Sequence, residues 1–356
     1  MTVQATNHAA AFAATPAIKR ADDTAMIKIA AQLAREFAVA KPAIYWADFG
    51  ASAVLGYGAL ALAIMATGWV QGLAVIVAVL ALYRAGLFIH EISHLRPDAV
   101  PGFRTAWNII IGVPLLVPSF MYEGVHSLHH TRIRYGTAED PEYLPLALMK
   151  PWTVPVFVLV SALAPIAVLL RYGILSPLSL VYPPLRQTLV ARYSSLSINP
   201  DFRRRMPEGD FARHWVIWET AASLWAMVVI AGVATGIIPL RAFLITIGVV
   251  SGVTVFNQIR TLVAHLWEND GEPLSVTGQY LDSVNVPPPG LLPALWAPVG
   301  LRYHALHHLL PGVPYHSLGE AHQRLMAAMP AGSAYHQGNY PGLFGLVVRL
   351  VKGAKA

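Results

Sequence analysis

Runs of about 20 apolar residues constrain this chain more than anything else in it, because a helix of that length crosses a bilayer. Two such runs, at about 49–67 and 70–89, meet at a turn around Gly68–Trp69, and two more, at about 215–235 and 238–258, are joined around Gly236–Pro239. Neither connection has room for a domain, so each pair reads as a tight hairpin across the membrane. Composition decides against an oversized soluble core: 12% of the 356 residues are charged, about half the usual share. Trp69, Trp215 and Trp218 fall near the expected span ends, where aromatic belts sit.

The apolar stretch 152–190 is interrupted by Pro155, Pro165, Pro177, Pro183 and Pro184 and carries Arg171 in its middle. Arg96, Arg104, Arg132 and Arg134 precede it, and Arg186, Arg192, Arg203, Arg204, Arg205 and Arg213 follow or end it. The positive-inside rule puts both flanks, 90–150 and 186–213, on the cytoplasmic side. The stretch between them then crosses an even number of times or not at all, and we read it as a helical hairpin dipping into the membrane. Residues 107–121 are too short to span and read as a re-entrant or interfacial piece. Residues 24–40 form an amphipathic helix, with Met26, Ile27, Ile29, Leu33 and Phe37 on or near one face, suited to lying on the membrane surface. The Ala-rich residues before it lack the apolar core of a signal peptide.

The expected architecture is therefore an all-α polytopic membrane protein with four spans in two hairpins plus the dipping hairpin. A cytoplasmic extension (1–47) precedes the membrane domain (48–330), whose helical cap is built from 90–150 and 259–315. A Pro-rich connector lies at 285–298, a helix near 317–329, and a cytoplasmic tail at 331–356. The arginine-rich flanks put the histidines described next on the cytoplasmic side, and the expected location is a bacterial inner membrane, as the resemblance given below implies. The net charge of +6 does not signal nucleic acid, since the basic residues sit in short loops between apolar runs. With no cysteine in the chain, thiolate-ligated zinc, Fe–S clusters and haem-thiolate chemistry are excluded within it. Electrons for any redox step must come from a separate carrier.

Histidine carries the chemistry. His90-Glu-Ile-Ser-His94 ends the second span, His126-Ser-Leu-His129-His130 follows residues 107–121, His265 lies just past the fourth span, and His304-Ala-Leu-His307-His308 follows the Pro-rich connector. On a helix, residues at i, i+3 and i+4 share a face, so each group aims its imidazoles one way. With 14 histidines in 356 residues, chance supplies an HxxHH pattern roughly 0.02 times per chain, and this chain has two. Nine imidazoles exceed what one metal takes, so two metals are expected. Imidazole suits zinc, copper, iron and nickel. Zinc takes fewer ligands and does no redox chemistry, whereas a nitrogen-rich dinuclear site beside a lipid interior suits iron and O₂. Neutral imidazoles leave the metal charge uncompensated, which makes Glu91, Asp140, Glu142, Glu268 and Asp270 candidates to orient the ligand N–H groups. A histidine-bearing transporter fits less well, because the histidines cluster at span ends and no inverted repeat is evident.

HEISH, HSLHH and HALHH, with His265 as an extra histidine, resemble the three histidine boxes of the membrane fatty acid desaturase superfamily over roughly residues 45–330. The stretch 302–325 resembles bacterial fatty acid desaturases. The resemblance implies a mushroom-shaped helical protein with two irons, O₂ as co-substrate, two electrons per turnover and a narrow acyl tunnel. It also implies His90, His94, His126, His129, His130, His265, His304, His307 and His308 as ligands. The expected substrate is a lipid acyl chain (acyl-lipid, acyl-CoA or acyl-ACP), and the expected donor is a ferredoxin, rubredoxin or cytochrome b5-type protein. Thr261 stands where some acyl-CoA desaturases have an Asn holding a metal-bound water. His316 and His322 read as peripheral, and Tyr57, Trp218, Trp225 and Phe256 as tunnel candidates for which core packing is the simpler role. The leading reading is a fatty acyl desaturase; the alternative is a hydroxylase or ketolase acting on a fatty acid, alkane or carotenoid, which carries the same boxes.

Overall fold

The computed structural model describes residues 21–353; the Ala-rich first 20 residues and the last three, parts of the expected N-terminal extension and tail, lie outside the described residues. Helix α1 (Thr24–Phe37) starts at Asp23, whose carboxylate accepts the Met26 N–H at 2.9 Å as an N-cap. Met26, Ala30 and Leu33, at i, i+4 and i+7, are buried in one cluster with Leu318, Ala321 and Leu325 of the later helix Leu318–Ala328. This corrects the membrane-surface reading. The apolar stripe of α1 is covered by the cap, and Asp23 also ties the helix to Ser333 and Ala334 at 2.8 and 3.1 Å.

Helix α2 (Pro42–Met65) and helix α3 (Gly68–His94) form the first hairpin. Gly68 has a φ of +62° at the turn, a conformation that favours glycine. A methyl group at Gly56 would lie 2.7 Å from Leu82, so the two helices approach as small residues allow. Helix α5 (Gly209–Ala234) and helix α6 (Leu240–Leu262) form the second hairpin.

Between them, helix α4 (Thr153–Ser179) departs from expectation. Helix α4 runs 27 residues as one piece, and a short polar helix, Pro183–Tyr193, lies back against it so that Arg171 donates to the Tyr193 carbonyl at 2.8 Å. Among the described residues there are thus five helices long and apolar enough to cross a membrane, where the sequence suggested four plus a dip. The prolines do not break α4 because the backbone tightens to a 3₁₀ turn at Val160–Leu163, ahead of Pro165, and widens to a π turn at Arg171–Leu175, ahead of Pro177. Arg171 is tolerated because Glu219 takes it at 2.8 Å, along with Arg186 at 2.7 Å and the Trp215 indole at 2.9 Å.

The 107–121 segment is a helical turn and a π turn packed on α3. The Trp107 indole donates to the Ala85 carbonyl at 2.9 Å, the Asn108 side chain holds Ser119 twice at 2.8 Å, and Ile109 and Ile110 are exposed. The expected C-terminal tail contains a helix, Leu343–Gly353, with Leu346 and Leu350 buried. Among the described residues β structure is limited to isolated bridges.

Candidate metal centre

Each histidine group is placed by a different local device. His90 and His94 end α3, one turn apart, with ring centroids 5.1 Å from each other. His126–His129 is a single helical turn capped by His130, and His304–Leu309 is a turn and a half. His265 sits where the chain leaves α6 and pairs with residues 282–284: Leu266 donates to the Asp282 carbonyl at 2.7 Å and Val284 to the Ala264 carbonyl at 3.0 Å. The same strip holds the last box, since Ala305 donates to the Val284 carbonyl at 3.1 Å and Leu306 to the Asn285 side chain at 3.0 Å.

The nine histidines converge into two groups, within each of which the candidate donor atoms lie within 4.8 Å of one another. One contains His90, His94, His126, His130 and His307; the other His129, His265, His304 and His308. His130 Nε2 faces the Nε2 atoms of His126 and His307 at 3.0 and 3.1 Å, and His304 Nε2 faces those of His265 and His308 at 3.1 and 3.2 Å. Two nitrogens about 2.1 Å from a shared ion at a right angle are about 3 Å apart. The outer nitrogens explain which atoms face inward. His126 Nδ1 lies 2.8 Å from Glu142, His129 Nδ1 2.9 Å from Asp140, and His265 Nδ1 2.8 Å from the Tyr135 hydroxyl, which itself donates to Asp282 at 2.8 Å. A carboxylate at Nδ1 fixes the Nδ1–H tautomer and leaves a bare lone pair at Nε2. Several lone pairs converging at 3 Å repel unless a cation lies among them, and the buried Nε2 atoms of His90 and His94 have no protein partner among the described residues. The residues present therefore fit metal ions held by imidazole.

Burial, reinforced by neighbouring imidazoles, holds His126, His130, His307 and His308 well below the usual histidine range, which keeps them neutral as ligands must be. His129 is the exception: burial pulls it down, but the Asp140 carboxylate outweighs that and raises it. Burial lifts Glu142 to about 7 and Asp282 to about 6.

Of the five acids expected around the ligands, three are in place. Asp140 and Glu142 bond to histidines, and buried Glu91 lies 3.8 Å from His90 Nδ1 while accepting from the Tyr45 hydroxyl at 2.5 Å. Glu268 instead pairs with Arg349 at 2.8 Å, and Asp270 is exposed. Tyr122, Tyr135, Asp282 and Arg260 were missed; the Tyr122 hydroxyl bridges His126 and Glu142, and the Arg260 guanidinium lies 3.1 Å from His304 Nδ1. Tyr122, one helical turn before His126, was open to the same spacing argument as the boxes, whereas Asp282 and the Tyr135–His265 contact, 130 residues apart, left no signal.

His316 and His322 stand apart from both groups. His316 accepts the Lys41 N–H at 3.1 Å, and His322 Nδ1 meets the Tyr335 hydroxyl at 2.9 Å. Burial lowers His322 to about 4. The unfolded chain therefore binds a proton there that the native state refuses between pH 6.5 and 4, so the contribution of His322 to stability is full above pH 6.5 and is lost as the pH falls through that window. His322→Gln should remove a few degrees from the drop in Tm between pH 7 and pH 5, as read by thermal unfolding in detergent; an unchanged pH dependence would refute this.

A cavity of about 810 Å³ reaches the centre from within the membrane domain. His90, His129, His265 and His304 form part of its wall, with Tyr122, Glu142 and Arg260 beside them and apolar residues such as Ile111, Leu115, Val168 and Leu170 farther along. Tyr57, Trp218, Trp225 and Phe256 do not line it. They pack elsewhere, as with Phe256 against Tyr83 at 5.2 Å between ring centroids and the Trp225 indole on the Pro114 carbonyl at 3.2 Å.

Residues 66–339 match the Fatty acid desaturase family, and the chain belongs to that family. It is 49% identical over 327 residues to a protein of Caulobacter vibrioides named ceramide hydroxylase, covering 92% of this chain and 93% of that one. No solved structure matches. The family and the apolar helices make this an integral membrane oxidoreductase of the desaturase and hydroxylase group.

Proposed function

We propose that the protein is an O₂-dependent hydroxylase acting on a hydrocarbon chain of a ceramide-type lipid. The observation that carries this reading is the near full-length 49% identity to a ceramide hydroxylase; it favours oxygen insertion over the desaturation preferred from the sequence. In this reading the nine histidines hold two iron ions, His90, His94, His126, His130 and His307 around one and His129, His265, His304 and His308 around the other. When bound, the iron pair supplies O₂ activation, for the net reaction R–H + O₂ + 2e⁻ + 2H⁺ → R–OH + H₂O.

The protein residues do the rest. The apolar cavity wall binds the chain and excludes water from it. Glu142 and Asp140 orient His126 and His129, and the Tyr122 hydroxyl keeps the proton it shares with Glu142 beside the cavity. The electrons come from a separate ferredoxin, rubredoxin or cytochrome b5-type carrier, since the chain has no cysteine. The arginines of 90–150 and 186–213 support an inner-membrane placement with the histidines on the cytoplasmic side.

The test is lipid mass spectrometry of a ceramide-containing bacterial host that expresses the protein with its electron carriers. Ceramides heavier by one oxygen are expected. Chains lighter by two hydrogens would return the assignment to desaturase, and unchanged lipids with both irons present would overturn the substrate.

A further inference from the structure

The cavity is not apolar throughout. Thr254, Asn257, Gln258 and Thr261 all line it. They stand at i, i+3, i+4 and i+7 on α6 and so share one face, at the end of the helix nearest His265. The threonines are already occupied: Thr254 donates to the Ser161 carbonyl at 2.8 Å and Thr261 to the Asn257 carbonyl at 3.0 Å. The side-chain amides of Asn257 and Gln258 have no protein hydrogen-bond partner among the described residues. In a membrane-embedded channel an unpartnered amide is costly and points to a ligand. An amide offers both donors and acceptors, which matches a polar group of the same kind rather than a methylene chain.

We propose that Asn257 and Gln258 seat the amide and hydroxyl head of the lipid, so that the carbon oxidised lies in the half of the chain nearer that head rather than toward the methyl end. The inference rests on the lipid-oxidation reading above and adds to it where the chain is cut into by oxygen. Asn257 precedes His265, which lines the same cavity, by eight residues, about 12 Å at helical rise, so the oxidised carbon falls within about nine carbons of the head's amide. The competing seat is the exposed Arg192, which also lines the cavity and offers a cation rather than an amide to the head.

Two measurements decide. Fragment-ion mass spectrometry of the product formed by the intact membrane protein should place the new oxygen within that distance of the amide; a position toward the methyl end overturns the proposal. If the product is instead an alkene, the hydroxylase reading fails, and the position of the double bond tests the seat in the same way. Equilibrium binding to the purified full chain needs no turnover. The protein should bind ceramide about tenfold more tightly than a diacylglycerol of equal chain length, which lacks the amide N–H. Asn257→Leu with Gln258→Leu should bring the two within about threefold, whereas Asn257→Gln with Gln258→Asn, which keeps both amides, should retain the preference. An equal preference in the leucine variant and the parent, or none in the parent, overturns the seat whatever the reaction proves to be.

Discussion

In the di-iron site proposed above, His130→Ala is expected to lower the iron content from two per chain toward one and to cut turnover by at least roughly a thousandfold, since a catalytic metal supplies several kcal/mol to the barrier. The choice of residue follows from geometry. His130 Nε2 is the atom that both His126 and His307 face, at 3.0 and 3.1 Å, so its removal opens the middle of the five-histidine group and leaves the four-histidine group whole. Metal analysis of the purified protein, paired with product mass spectrometry, reads both effects. Two irons retained, or activity within tenfold of the parent, would remove His130 from the ligand set.

Asp140→Asn should weaken iron binding by about 10- to 100-fold, the usual effect of losing an acid that orients a ligand imidazole. Asp140 is fully buried, takes His129 Nδ1–H, and also accepts the backbone N–H groups of Gly136 and Glu142, each at 2.8 Å. An asparagine keeps one acceptor oxygen but turns an N–H₂ toward groups that need acceptors. Glu268→Gln is the matched control. Its half-exposed pair with Arg349 belongs to the class that contributes little, and iron affinity should stay within about twofold. Chelator competition on both variants gives the comparison, and equal affinities would mean that Asp140 does not act through His129.

The placement of Glu268 shows where sequence reasoning ran out. It lies three residues after His265, close enough to invite a role beside it. Between them Trp267 adopts a φ of +61°, the chain reverses, and the carboxylate leaves toward Arg349. Asp282, 17 residues after His265, takes the place instead, through Tyr135 from a third segment. The boxes were legible because helical spacing fixes a face without knowledge of the fold, and the hairpins because a bilayer sets a length. Partners brought together by long-range pairing leave no such period. Helix α1 was misplaced for the same reason: amphipathicity states that a face needs cover, not whether lipid or Leu318, Ala321 and Leu325 provide it. The unbroken course of α4 depended on local 3₁₀ and π turns that proline positions alone do not announce.

The histidines also differ in what they face, and the division cuts across both groups. His90, His129, His265 and His304 look into the cavity, while His94, His130 and His308 are partly exposed yet form no part of its lining. The cluster thus stands between the cavity on one side and the partly exposed faces of His94, His130 and His308 on the other. In the proposed hydroxylase a soluble electron donor would meet the partly exposed side of the cluster and the lipid chain its cavity side, so a filled cavity would leave the donor its approach.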